Sequence, residues 1–145
     1  MYRLALLLPF AAIACSAAMA DPPPTAPVKA ATTGTDQQAC VESFQRNRTC
    51  TDEYIPALVD TRAKYDNPTG IADKVKADRA GIIAAAKAEW ADDSKDEAIA
   101  NTCQRLVAGP GSHADVETAR GCLAQTDCAG YVSCVMPIFD KHLRK

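Results

Sequence analysis

The sequence predicts an all-α fold, a small disulfide-stapled bundle of about five to six helices, on three observations. Beyond position 36, apolar residues recur at the i, i+3, i+4, i+7 spacing of a helix face, without the alternating β-branched pattern of strands. Breaks rich in Gly, Pro, Asn and Ser separate these runs at intervals suited to helices. Six cysteines, Cys40, Cys50, Cys103, Cys122, Cys128 and Cys134, lie in or beside the helical runs. An even number in an exported domain reads as a disulfide framework.

Export follows from the first 20 residues. Arg3 supplies a short basic start, Leu4 to Ile13 an apolar stretch, and Ala18-Met19-Ala20 the small-x-small pattern cleaved before Asp21. An alternative signal is present, because Ala12-Ile13-Ala14-Cys15 is similar to a lipobox, with lipidation at Cys15 tethering the protein to a membrane. In either case Cys15 leaves the disulfide inventory. Residues 21–36 (DPPPTAPVKAATTGTD) read as a flexible Pro/Thr/Ala linker, and residues 37–145 as the helical domain. No transmembrane segment is expected once the signal is gone, so contact with a membrane depends on Cys15.

Asp36 is suited to cap a first helix carrying Cys40, Val41 and Phe44, which ends near Asn47-Arg48-Thr49 or continues through Cys50. A second spans about Asp52 to Asp66 with Ile55, Leu58, Val59 and Arg62 on one face, and tolerates Pro56 only near its first turn. After the break at Asn67-Pro68-Thr69-Gly70, a third runs to about Ala91, with Ile71, Val75, Ile82, Ala86 and Trp90 in line. Gly81 inside it predicts close approach of a neighbouring backbone. Ser94-Lys95-Asp96-Glu97 has the form of a capping box for a fourth helix with Ile99, Cys103, Leu106 and Val107 on its apolar side. Gly109-Pro110-Gly111 stops that helix and Ser112 is placed to cap a fifth, with Val116, Ala119, Arg120 and Leu123, ending around Gln125-Thr126. Asp127 opens the last, with Tyr131, Cys134, Val135 and Ile138 facing inward.

The core is thin. Residues 21–145 contain 21 alanines and only 25 larger apolar or aromatic side chains, and an alanine buries little, so covalent staples matter in so small a domain. Spacing limits the staples. Cys128 and Cys134 are about 9 Å apart along one helix and on different faces, too far to pair. Cys40 and Cys50 are likewise too far apart if one helix runs through both. The fourth and fifth helices, joined by a short turn, are expected to lie antiparallel, which makes Cys103–Cys122 feasible as one of several choices. At least one bridge is expected to tie the Cys40/Cys50 segment to the Cys103–Cys134 region, with the full connectivity open.

The Cys40–Cys50 segment (CVESFQRNRTC), the Trp90–Ser94 segment (WADDS) and the Cys122-x5-Cys128-x5-Cys134 spacing followed by Met136-Pro137 carry a resemblance. Together they resemble uncharacterised small secreted or lipoprotein-type helical, cysteine-containing proteins of proteobacteria, especially myxobacteria. The resemblance implies an exported helical domain and brings no activity with it.

Catalytic and metal constellations are not expected. His113 and His142 read as helix-end or surface histidines, and the absence of Cys-x-x-Cys argues against a zinc or dithiol site. The acidic groups Asp52-Glu53 and Asp92-Asp93 with Asp96-Glu97 read as carboxylates at helix starts, where they suit the dipole, and not as an acid–base pair across a substrate. Ser94 and Ser112 have no nucleophile elbow around them, and no glycine loop suited to a phosphate is present. Without Arg3 the exported part has 15 basic against 18 acidic residues, net −3, with no basic block, which excludes general nucleic-acid binding. The aromatic residues Phe44, Tyr54, Tyr65, Trp90, Tyr131 and Phe139 read as core, with a partly aromatic ligand groove between helices as the sharper alternative. The expectation is a secreted or periplasmic binding or interaction module without cofactor or catalytic activity, partnered by an envelope component or another protein. The alternative is a carrier of a small apolar ligand; an enzyme ranks below both.

Overall fold

The computed structural model describes residues 33–144; the export signal, Cys15 and most of the proposed linker lie outside the described residues. Six helices follow in order: α1 (Thr33–Thr49), α2 (Thr51–Lys64), α3 (Ile71–Asp93), α4 (Asp96–Val107), α5 (Ser112–Cys122) and α6 (Cys128–Leu143). No strand occurs among the described residues.

The helices pack as two groups of three. In one, α2 lies between α3 and α6 over a core of Tyr54, Ile55, Leu58, Val59, Ala86, Tyr131, Val132 and Val135. In the other, α1 holds α4 and α5 over a smaller core of Ala39, Cys40, Ile99, Cys103 and Val116. Cys50, fully buried, is the single residue between α1 and α2 and forms the corner between the groups.

All six cysteines pair: Cys40–Cys103, Cys50–Cys128 and Cys122–Cys134. The first two tie the Cys40/Cys50 segment to the C-terminal half, while Cys122–Cys134 closes the α5–α6 turn. Cys103–Cys122 does not form. The short turn between α4 and α5 does not make them a close hairpin, because each packs chiefly on α1. The seam between the groups also carries hydrogen bonds. The hydroxyl of Tyr131 donates to the Ser43 carbonyl at 2.8 Å, and Arg46 donates to the Thr126 carbonyl at 2.9 Å.

Several local expectations are corrected. The first helix begins at Thr33, so it takes in the last residues assigned to the linker, and Asp36 sits in its first turn rather than at its cap. Pro56 lies beyond the first turn of α2, which starts at Thr51. The capping box is not made. Ser94 closes α3 instead, its N–H donating to the Trp90 carbonyl at 2.9 Å and its own carbonyl accepting from Arg48 at 2.7 Å, which leaves Lys95 as the cap of α4. Gly111, at φ 80°, takes the cap position expected of Ser112, since the chain must reverse there. The Ser112 hydroxyl donates back to the Gly109 carbonyl at 2.8 Å.

Gly81 faces a side chain, not a backbone. α3 is interrupted at Asp78 (φ −151°, ψ 75°), whose carboxylate accepts from the Gly81 N–H at 2.8 Å and recaps the helix; a Cβ on Gly81 would collide with that carboxylate. In α6 the inward face includes Val132 and Phe139 rather than Ile138.

Candidate functional site

Four of the six aromatic residues among those described meet in a row, one each from α1, α3, α2 and α6. Phe44 stacks on Trp90 with centroids 6.2 Å apart, Trp90 lies 5.4 Å from Tyr54, and Tyr54 meets Phe139 edge-on at 5.8 Å. Helical spacing explains the convergence, since Tyr54, Leu58 and Arg62 fall at i, i+4 and i+8 along one face of α2. These rings and Leu58 form one wall of a cleft where the two helix groups meet. Leu106, Arg105 and Thr102 of α4 form the other. The cleft measures about 760 Å³ and is open to solvent on one side, within the roughly 300–1,000 Å³ usual for small-molecule sites.

Its polar lining residues are Tyr54, Arg62, Asp93, Asn101, Thr102 and Arg105. Arg62 is half-buried, and burial pulls its guanidinium below the usual pKa, against the opposing influence of Tyr54 and Glu89. The Tyr54 hydroxyl is pushed above its ordinary range, first by burial, and stays protonated. Arg62 Nε and Trp90 Nε1 are buried donors with no hydrogen-bond partner, a condition worth about 1–3 kcal/mol per group. Asn47 Oδ1 also lacks a hydrogen bond, but Asn47 does not line the cleft. None of the lining residues is Ser, Cys, His or Lys. The cleft therefore offers apolar and aromatic surface together with the charged groups Arg62, Asp93 and Arg105 and the neutral polar groups Tyr54, Asn101 and Thr102.

The remaining candidate residues fall elsewhere. Asp52 pairs with Lys87 at 2.5 Å, Asp92 with Lys95 at 2.7 Å and Asp96 with Arg48 at 2.8 Å, all substantially exposed ion pairs of small energetic weight. The disulfides take every described cysteine out of thiol chemistry. His142 contacts Asp115 at 2.6 Å, and Lys141 joins that carboxylate at 2.9 Å.

His113 is less isolated than its place in the sequence implies. Asp36, 77 residues away, contacts its Nδ1 at 2.7 Å, and this pair with Glu117 brings three ligand-type atoms within 4.8 Å of one another. The Arg120 guanidinium bonds both carboxylates, at 3.3 Å to Asp36 and 2.9 Å to Glu117. A cation is thus already in place, supplied by the chain itself. Asp36 raises the His113 pKa through their hydrogen bond.

Arg62 was legible only as a polar residue on an otherwise apolar face of α2, and Arg105 gave no signal, since its role depends on how α4 docks. Among the described residues no helix is long and apolar enough to cross a membrane. No protein-family model, curated protein or solved structure matches the chain.

Proposed function

We propose that this protein is an exported, non-catalytic binding module that carries a small apolar ligand in the cleft between its two helix groups. The observation behind this reading is the row of four rings from four different helices, which leaves aromatic and aliphatic surface facing open space. A core aromatic cluster would close on itself; this one lines a cavity. Export, through the signal at residues 1–20 or by lipidation at Cys15, is supported by three disulfides, which persist in oxidising compartments. The resemblance to secreted or lipoprotein-type helical proteins points the same way.

Trp90 is the only tryptophan and lies in the cleft wall, so it reports directly on occupancy. Titration with the neutral polarity-sensitive dye phenylnaphthylamine is expected to brighten the dye, quench Trp90 and saturate at one dye per chain. Weak, non-saturating brightening without Trp90 quenching would refute ligand carriage.

A further inference from the structure

Phe44, Trp90, Leu106 and Phe139 are half-buried, and each lines the cleft. The α4 edge of the cleft runs from Ala98 through Leu106, with Gly109 just beyond the end of the helix. At the helical rise that edge is about 16 Å long. α4 lies antiparallel to α1, because Cys103 is bonded to Cys40 with their Cα atoms 5.7 Å apart and Asp96 pairs with Arg48 at 2.8 Å. Counted from the bridge, Gly109 is level with the first residues of α1, so the cleft ends where the chain preceding Thr33 joins that helix. From this placement we infer that the proline-rich segment Pro22–Pro27 (PPPTAP) turns back beside α1 and docks in the cleft, in competition with the apolar ligand. The inference rests on the reading of the cleft as a binding site and adds how that site is regulated.

Reach and length agree. Val28 to Thr32 separate Pro27 from α1, a tether of up to about 19 Å at the polyproline II rise. That suffices to turn at the start of α1 and enter the cleft at Gly109. Pro22 to Pro27 then span about 16 Å in the same conformation, the length of the α4 edge. Composition agrees as well. Four of these six residues are proline and none is charged, so docking costs little entropy and brings no charge onto the Phe44, Trp90 and Phe139 rings. A groove lined by rings is the surface on which proline-rich segments dock. The tether also presents the segment at roughly millimolar effective concentration, so a weak intrinsic affinity is enough for it to compete.

The test uses the disulfide-bonded chain from Asp21 onward, beside the same chain carrying Pro22→Ser, Pro23→Ser, Pro24→Ser and Pro27→Ser. These four positions precede α1, and circular dichroism checks that the variant keeps its helix content. In the unaltered chain, nuclear Overhauser contacts are expected between proline ring protons and the ring protons of Phe44 or Trp90. Phenylnaphthylamine should erase those contacts and should bind about fivefold more tightly to the serine variant, whose cleft is free. Absence of the contacts, with equal dye affinity for the two chains, overturns docking of the segment and leaves ligand carriage standing. Contacts seen only between isotope-labelled and unlabelled copies put the segment of a second copy in the cleft and overturn docking within one chain. Contacts within one chain, with no dye bound by either chain, uphold docking and overturn ligand carriage.

Discussion

The α2/α3/α6 group and the α1/α4/α5 group are both three-helix packs, built by different means. The first buries Tyr54, Ile55, Leu58, Val59, Tyr131, Val132 and Val135, side chains that each contribute roughly 1.5–3 kcal/mol on burial. The second has Ala39, Ile99 and Val116 around the Cys40–Cys103 bridge, with Val41, Phe44, Leu106 and Val107 only partly covered. Both cores contain disulfide sulfur: Cys50–Cys128 and Cys122–Cys134 enter the larger core from the corner and from α5. In the smaller core the Cys40–Cys103 bridge has only Ala39, Ile99 and Val116 buried around it, so it makes up a larger share of what holds those helices. The cleft lies where these two groups meet, so its shape depends on both.

The contrast can be strained at several points. In the aromatic group, Tyr54→Ala removes a side chain only 2% exposed that touches Trp90 and Phe139. It should cost about 3–5 kcal/mol, read as a lower urea midpoint, and abolish dye binding. At the seam, Tyr131→Phe deletes the donor to the Ser43 carbonyl and should cost about 1 kcal/mol while leaving helix content unchanged.

Acid and alkali should act on different groups. In α6, Lys64, Tyr65 and Arg144 hold the Asp140 carboxyl well below its ordinary 3.8. A lowered folded pKa gives stability that is present above pH 3.8 and lost as pH falls through the folded value, so acid weakens the α2–α6 contact. Asp36 raises the His113 pKa above 6.5, giving stability that is full below pH 6.5 and lost as pH rises through the folded value, so alkali weakens α1–α5. The His113 side chain is largely exposed and that of Asp140 is 22% exposed with exposed partners, so both effects should be small and reduced by salt. Urea midpoints measured across pH check the signs: Asp140→Asn should flatten the acid limb, and Asp36→Asn the limb above pH 6.5.

Helix identity was legible because the apolar period survives even in an alanine-rich chain, and strong breaks such as Gly109-Pro110-Gly111 bound it. Caps were less legible. Ser94 and Glu97 have the right spacing, but Ser94 is buried under Arg48, a contact set by tertiary packing and not by local sequence. The connectivity was legible only as a constraint. Which partner Cys103 takes depends on whether α4 leans on α5 or on α1, and nothing in the turn between them encodes that choice. The cleft was least legible, because Phe44, Tyr54, Trp90 and Phe139 are spread over 95 residues and meet only once the two groups are docked.

The greater dependence of the α1/α4/α5 group on its one internal staple is tested most directly by amide hydrogen exchange on the Cys40→Ala/Cys103→Ala variant. The bridge spans 63 residues, and a loop of that length corresponds to about 4 kcal/mol in the chain-entropy account. The structure predicts that protection is lost in α1, α4 and α5 while α2, α3 and α6 keep most of theirs. Equal loss of protection in all six helices, or full retention in α1, α4 and α5, would contradict it.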